Sequence, residues 1–445
     1  MTIHTTRPAF KPALLAFSLA CLFIQGPRAH ADTELPASLN ALNAMAAQTL
    51  PQPDLGRQSI EDSLIHQQGI QESAIQRAEA RIRKAGDHEW IVSSAMRNRR
   101  FRDEGVSRQD YELGLSRALR WPGKANLDQQ IAGQQTALAD TLLEDSWHEA
   151  SRNLADAVGQ CRLRYAVLNV HTRNEAEQTA FVEQQTRRFR LGDIAEVALI
   201  QSQIELKLIA QQRRQALMDL QAAQLALNTQ YPALSAYADS GCGPGLATHS
   251  PWATLGEPDM TMLRNRLVTE HHGLRLLEQR AQIASMDATR QRMDQRADPT
   301  LGLTLATEQN NAERIAGLHV SIPLGGTVRE AKTAVASARS TQLQIELTQT
   351  RRLVNQQAAL TVTQYTAKLD KAQQAQQQLA QQEDQYQRLL KAYRLGEVTH
   401  TELNLTRQAL MQARQQQAEA VNALETHAVL MMIDAHLLLQ MDNDH

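Results

Sequence analysis

The chain has 445 residues, of which aromatics make up only 4% and charged residues 21%, with a formal net charge of −2. So few aromatics argue against large compact cores, which use them as bulk apolar filling, and favour long helices with much exposed surface, built here from Ala, Gln, Leu, Arg and Glu. A net charge near zero supplies no field that would attract nucleic acid.

In chain order, the N-terminus reads as an address. Arg7 and Lys11 precede the apolar run PALLAFSLACLFI, and Ala29-His30-Ala31 supplies an A-x-A cleavage site. The run is short for a membrane-spanning helix. Residues 1–31 are therefore predicted to be a signal peptide, removed on export through a bacterial inner membrane. Leu22, Phe23 and Ile24 follow Cys21 as the middle of an apolar region would, which argues against lipidation there. Cys161 and Cys242 then remain in a compartment that permits disulfides. The sequence leaves open whether they pair, and neither lies in a CxxC or Cys/His cluster that would hold a metal.

Residues 32–56 and 229–258 read as extended, loop-like segments rich in Pro, Gly and small polar residues. Between and after them the chain states one plan twice, as repeat 1 (57–241) and repeat 2 (259–445), joined by a linker at 242–258. Phe189 to Leu199 reads FRLGDIAEVAL, and Tyr393 to Leu403, 204 residues on, reads YRLGEVTHTEL. Internal self-similarity of this kind is settled before fold.

Each unit opens with a leading helix, about Ile60 to Lys84 and about Pro258 to Gln295. A hairpin follows, at about 88–121 and about 299–324. Its strands carry alternating sets: Trp90, Val92, Ser94 and Met96; Tyr111, Leu113 and Leu115; Leu301, Leu303 and Leu305; Leu318, Val320 and Ile322. Long helices are predicted over about 125–190 and 327–395, each on the order of 100 Å at the helical rise. Return helices are predicted over about 193–229 and 397–438. Leu199, Leu206, Ala210, Leu217, Leu220 and Leu227 in the first, and Leu403, Leu410, Ala413, Ala420, Leu424, Met431 and Leu438 in the second, give heptad-like seams.

At each reversal the phrase Arg-Leu-Gly has a mechanical reading. Gly192 and Gly396 suit the left-handed conformation that ends a helix. Arg190 and Arg394 suit a helix C-terminus, and Asp193 and Glu397 the start of the next. Leu191 and Leu395 sit at the apex, where exposure would call for a partner. Four strands cannot close a barrel alone, but three exported chains would supply twelve. The fold class read from the chain is mainly α with a small β part. Long antiparallel coiled-coil helices would form a trimeric α-barrel tunnel beneath a 12-stranded outer-membrane β-barrel.

This order of elements resembles the TolC family of outer-membrane factors over essentially the whole mature chain. FRLGDIAEVALIQSQIEL, YRLGEVTHTELNLTRQAL and GLHVSIPLGGTVREAKTAVASA carry the resemblance. It implies a homotrimeric channel-tunnel in outer-membrane lipid, taking substrate from an inner-membrane pump of the RND type through a periplasmic adaptor (membrane fusion protein). It also implies an adaptor-docking tip formed by Arg190, Leu191, Gly192, Arg394, Leu395 and Gly396. Family members carry acids six and nine residues past the second turn's glycine. Glu402 matches the first and is the candidate pore constriction, where an acid ring would favour cations; Leu405 departs from the second.

LSRALRWPGKA and DPTLGLTLATEQNNAERIAGLHVSIPLGG are similar to the heavy-metal, CzcC-like branch, which implies metal cations as cargo. A conduit needs no metal site or cofactor, and none is read here. His271 and His272 are adjacent on a helix, and His427 and His436 lack ligand spacing. The absence of GxSxG, Walker A or clustered Cys/His signatures argues against an enzyme. The alternative is a periplasmic coiled-coil scaffold or adaptor that forms no channel; membrane insertion separates the two.

Overall fold

A computed structural model describes residues 37–100, 102–103, 105–243 and 260–441. The predicted signal peptide with Cys21, and most of the predicted 242–258 linker, lie outside the described residues. The chain opens with α1 (Ala37–Gln48), α2 (Pro53–Glu61) and α3 (Leu64–Ala85). Strands β1 (Trp90–Arg100) and β2 (Ser107–Ala118) lead into α4 (Pro122–Arg190), α5 (Glu196–Gln230) and the short α6 (Ser235–Asp239). Then come α7 (Met260–Thr269), α8 (His272–Met293), β3 (Thr300–Glu308), β4 (Glu313–Ser321), α9 (Thr327–Leu395) and α10 (His400–Asp434). Helices α4 and α9 both have 69 residues, and α5 and α10 both have 35.

Three expectations need correction. The predicted extended segment at 32–56 is helical from Ala37: Leu39, Leu42 and Ala46 recur at helical spacing, and α1 buries them against α10. The stretch after Gln230 is not all loop, since Pro232–Leu234 forms a 3-10 turn and α6 follows. The leading helices are each broken in two. Ser63 accepts from the His66 N–H and starts α3, while His271 accepts from the Leu274 N–H and starts α8.

Long helices of this size need partners along their length. Helix α4 packs on α3, α5, α8 and α10, and α9 packs on α8 and α10, so α10 ties the two long helices together. A Cβ built at Gly159 on α4 would stand 2.5 Å from Thr426 Oγ1 on α10. That glycine therefore marks a close crossing of α4 and α10.

The four strands form one antiparallel sheet in the order β1-β2-β3-β4. Its register sets Val92 opposite Leu115 and Met96 opposite Tyr111. It likewise sets Leu113 and Leu115 opposite Leu305 and Leu303, and Leu301 and Leu303 opposite Val320 and Leu318. Side chains alternate across a sheet, so this register gathers most of the large apolar residues on one face, with Ile91 and Ile315 on the other. The other face carries Ser93, Gly114, Gly302 and Thr304, and an ionic ladder in which Arg99 lies 2.9 Å from both Asp110 and Glu308 and Arg97 pairs with Glu112. Strands β1 and β4 have one free edge each.

Three apolar clusters run along the helical body. The first joins α1, α7, α9 and α10 around Tyr365, Leu263 and Leu424. The second joins α4, α5 and α6 around Leu154, Leu227 and Trp147. The third, Phe181, Tyr386, Tyr393, Leu403 and Leu410, lies just behind the turns. Cys161 and Cys242 are joined, with their Cα atoms 5.8 Å apart, which anchors the segment after α6 to the middle of α4.

Tyr365 is fully buried, and its hydroxyl has no hydrogen-bond partner among the described residues. Burial pushes that hydroxyl's pKa up to about 12. A buried unpaired hydroxyl forfeits about 1–3 kcal/mol of hydration. Tyr365→Phe is thus expected to leave the thermal midpoint unchanged or raise it. A fall would reveal a partner for the hydroxyl supplied by the assembled protein.

Candidate functional site

Both reversals between long and return helices close in the same way. At the first, the Gly192 N–H donates to Phe189 O at 2.9 Å and the Asp193 N–H to Arg188 O at 2.9 Å. At the second, the Gly396 N–H donates to Tyr393 O at 3.1 Å and the Glu397 N–H to Ala392 O at 3.0 Å. This pair of bonds is the Schellman arrangement, which satisfies the last carbonyls of a helix and requires a left-handed residue. Gly192 has φ 80° and Gly396 φ 79°. A Cβ at either would meet nothing within 4 Å, so the backbone angle alone selects glycine.

The six predicted tip residues are all at these turns. Arg190 and Arg394 lie in the last turns of α4 and α9, where a cation complements the helix dipole. Leu191 is 77% exposed and Leu395 75% exposed, so neither apical leucine tucks back into the helical body. Asp193 and Glu397 do not begin the return helices; their N–H groups finish the preceding ones.

The return helices start differently. Thr399 caps α10: its hydroxyl accepts from the Glu402 N–H at 3.2 Å, and Glu402 Oε2 accepts from the Thr399 N–H at 2.8 Å and hydroxyl at 2.9 Å. Those bonds, led by the backbone N–H, hold the Glu402 carboxyl below the usual range. Glu402 is exposed and is therefore the second half of a capping box. The Thr-x-x-Glu spelling was the signal for this, and the corresponding positions of the first turn are Ala195 and Ala198, which cannot form it.

Behind the turns, polar side chains stitch four helices together. Tyr393 donates to Gln185 Oε1 at 3.0 Å. His400 Nε2 lies 2.8 Å from Ser202 Oγ, and its Nδ1 lies 3.1 Å from Asn404 Nδ2. Burial and then the neighbouring Arg407 depress the His400 pKa. Arg407 stacks 4.0 Å over the Phe181 ring and donates to Gln178, while Arg414 reaches Glu177 at 2.6 Å and Asn174 at 2.9 Å. These residues were not legible as a group, because nearly every bond joins positions about 200 or more residues apart.

Among the described residues no group of three or more His, Cys, Asp or Glu is placed to hold a metal ion. No helix among them is long and apolar enough to cross a membrane. Further unpartnered apolar residues lie on the helices. Val197, Ile200, Ile204, Leu208, Met218 and Leu225 share one face of α5, and Val328, Val335, Leu353 and Leu360 share one face of α9.

A sheet of two hairpins, each feeding a 69-residue helix that reverses at a glycine into a 35-residue return, is a fold this chain shares with solved outer-membrane channels. The chain superposes on the transmembrane channel protein CusC with a TM-score of 0.71 at 15% identity, covering 89% of this chain and 92% of that one. It matches the outer membrane protein VceC of Vibrio cholerae with a TM-score of 0.68 at 14% identity (90% and 96% covered). It matches the open state of the Neisseria gonorrhoeae MtrE outer membrane channel with a TM-score of 0.68 at 13% identity (91% of each). No family model and no curated protein sequence matches the chain.

Proposed function

We propose that this chain is the outer-membrane channel-tunnel of a tripartite efflux system. Three copies would close twelve strands into a barrel and stand the long helices beneath it as a periplasmic tunnel, with the two halves of each chain arising by tandem duplication. Substrate would pass from an inner-membrane pump of the RND type, through a periplasmic adaptor docked at the Leu191 and Leu395 turns, to the outside. The carrying observation is the two-faced sheet with two open edges, which in isolation leaves a broad apolar face in water and unpaired backbone groups. The unpartnered faces of α5 and α9 support lateral association with neighbouring copies. A periplasmic scaffold would have no use for such a sheet.

Metal cations are the cargo suggested by the likeness to the CzcC-like branch. The three Glu402 carboxylates would stand near the narrow end, each held within its capping box.

Envelope fractionation followed by the mass of the detergent-extracted protein tests the reading. Trimeric mass in the outer-membrane fraction is expected, and a deletion strain then becomes sensitive to the exported metal. A soluble periplasmic monomer or dimer would overturn it.

A further inference from the structure

Three histidines far apart in sequence meet in the middle of the helical body. His148 lies on α4, His272 is the first residue of α8, and His436 sits in the turn after α10. Their ring centroids are 5.2 Å (His148 to His272), 5.4 Å (His148 to His436) and 4.5 Å (His272 to His436) apart. His272 is only 5% exposed. His272 Nδ1 and His436 Nε2 are buried and have no hydrogen-bond partner among the described residues.

The turn that carries His436 is held from outside itself. His436 has φ 54° and Leu439 φ 53°, left-handed values that a non-glycine side chain disfavours. Leu437, Leu438 and Leu439 pack on the Tyr365 cluster, and the Trp147 indole N–H donates to Leu439 O at 2.8 Å. Docking onto α4 and α8 therefore keeps a backbone that the segment alone would leave.

The charged groups around the rings offer no free counterion to His272 or His436. From α4, Glu144 Oε2 lies 3.9 Å from His272 Nδ1 but is held more closely by Arg275 at 3.0 Å, and Arg152 pairs with Asp434 of α10. His148 Nε2 lies 3.3 Å from that same Asp434. Asp145 and Glu149 lie on α4 beside His148, and burial raises the Asp145 carboxyl. From α7, the α8 cap and α8 itself come Arg266, Glu270 (between the helices, bound to Arg275 at 3.2 Å), His271 and Arg280.

We propose that the His148–His272–His436 contact is an acid-sensitive latch, which holds the C-terminal turn against α4 and α8 while His272 and His436 are neutral and releases it as those two rings take up protons. Burial, and then the neighbouring imidazoles, push His272 down to about 3 and His436 down to about 4. With the turn released, His436 is free and His272, which stays on α8, is uncovered, so these two rings titrate near the ordinary value of about 6.5. Between those limits the released form binds more protons than the docked one, so docking weakens as pH falls below neutrality and is at full strength above it. From pH 7.5 to pH 5.5 each ring shifts the equilibrium about tenfold, and the two together about 100-fold, towards release.

Hydrogen exchange on the full-length protein in detergent, corrected for intrinsic rates, reads this directly at the His436 and Leu437 amides, which donate to Ile433 O and Met432 O. Protection there is expected to fall about 100-fold over that pH range, while amides of the β2–β3 pairing hold theirs. His272→Gln with His436→Gln should abolish the pH slope. Should that double variant not fold, His436→Asn, which tolerates the left-handed backbone, should reduce the fall to about tenfold. Constant wild-type protection down to pH 5.5 would overturn the proposal. So would an equal fall in a histidine variant, which would assign the effect to carboxylates.

Discussion

On the proposed reading as an efflux channel, exchanging both Leu191 and Leu395 for serine is expected to abolish export in cells that rely on this chain, while the extracted protein keeps the mass of the unaltered oligomer. Both leucines are about three-quarters exposed, so neither has packing to lose, and exposed changes of this kind alter stability by no more than about 0.5 kcal/mol. Their worth would come from burial against the adaptor. A leucine taken fully out of water contributes about 2 kcal/mol, and an apolar anchor at the centre of an interface is where binding energy concentrates. Two such turns per chain, three times round a trimer, would multiply a modest loss per site into loss of the assembly. Gly396→Pro makes a harsher companion, because proline cannot adopt φ 79° and the Schellman closure is lost with it. Export that continues unchanged in the double serine variant would remove the turns from the docking account and leave them as well-capped bends.

The parts of the fold that were legible are those written in local chemistry. The 69-residue helices announce themselves by the near-absence of Gly and Pro, and the reversals by Arg-Leu-Gly. The strand faces follow from period-two alternation, which the register preserves from Val92 to Val320. Helix α1 was misread because prolines crowd both of its ends and its apolar residues are spaced over only three turns. A helix that short depends on tertiary packing, here onto α10, which no local signal reveals.

What the sequence hid is long-range. Nothing around Cys161 or Cys242 indicates that their Cα atoms stand 5.8 Å apart. The adjacent His271 and His272 do point to different tasks, as their spacing requires: His271 caps α8 and His272 faces His148 and His436. Glu402 also carries a local reading beside its family position. The spelling Thr399-x-x-Glu402 accounts for its geometry without any pore.

Removing the carboxylate of Asp128 is expected to be among the most destabilising single changes in the molecule. The residue is only 3% exposed and stands where the sheet joins the helices. Arg120 reaches it at 2.9 Å and Arg290 at 2.8 Å. Arg120 also donates to Ala85 O at 2.6 Å, capping α3 just before β1 begins. One turn away, the buried Lys124 ammonium contacts Arg296 O at 2.6 Å and Asp294 and Asp298 at 2.9 Å each, just before β3 begins. Burial works to raise the Asp294 and Asp298 carboxyls, but hydrogen bonds from Arg290 and Lys124 to the first, and from Lys124 and His88 to the second, outweigh it and hold both below the ordinary value. Their contribution is therefore complete at neutral pH and is lost only as acid titrates them through those depressed values. Asp128→Ala leaves two guanidinium groups facing an apolar gap, and breaking a buried pair from one side costs about 3–5 kcal/mol. Asp128→Asn keeps an acceptor for one arginine and should cost less. Because both hairpins hang from this cluster, the loss is expected to appear first in the four-stranded sheet and, on the proposed reading, in the barrel it would help to close. The measurement is the heat stability of the extracted oligomer on gels, with Asp128→Ala lowest, Asp128→Asn between, and the native protein highest. Equal stability of all three would mean that the strands are held in place by the barrel itself and not by this junction.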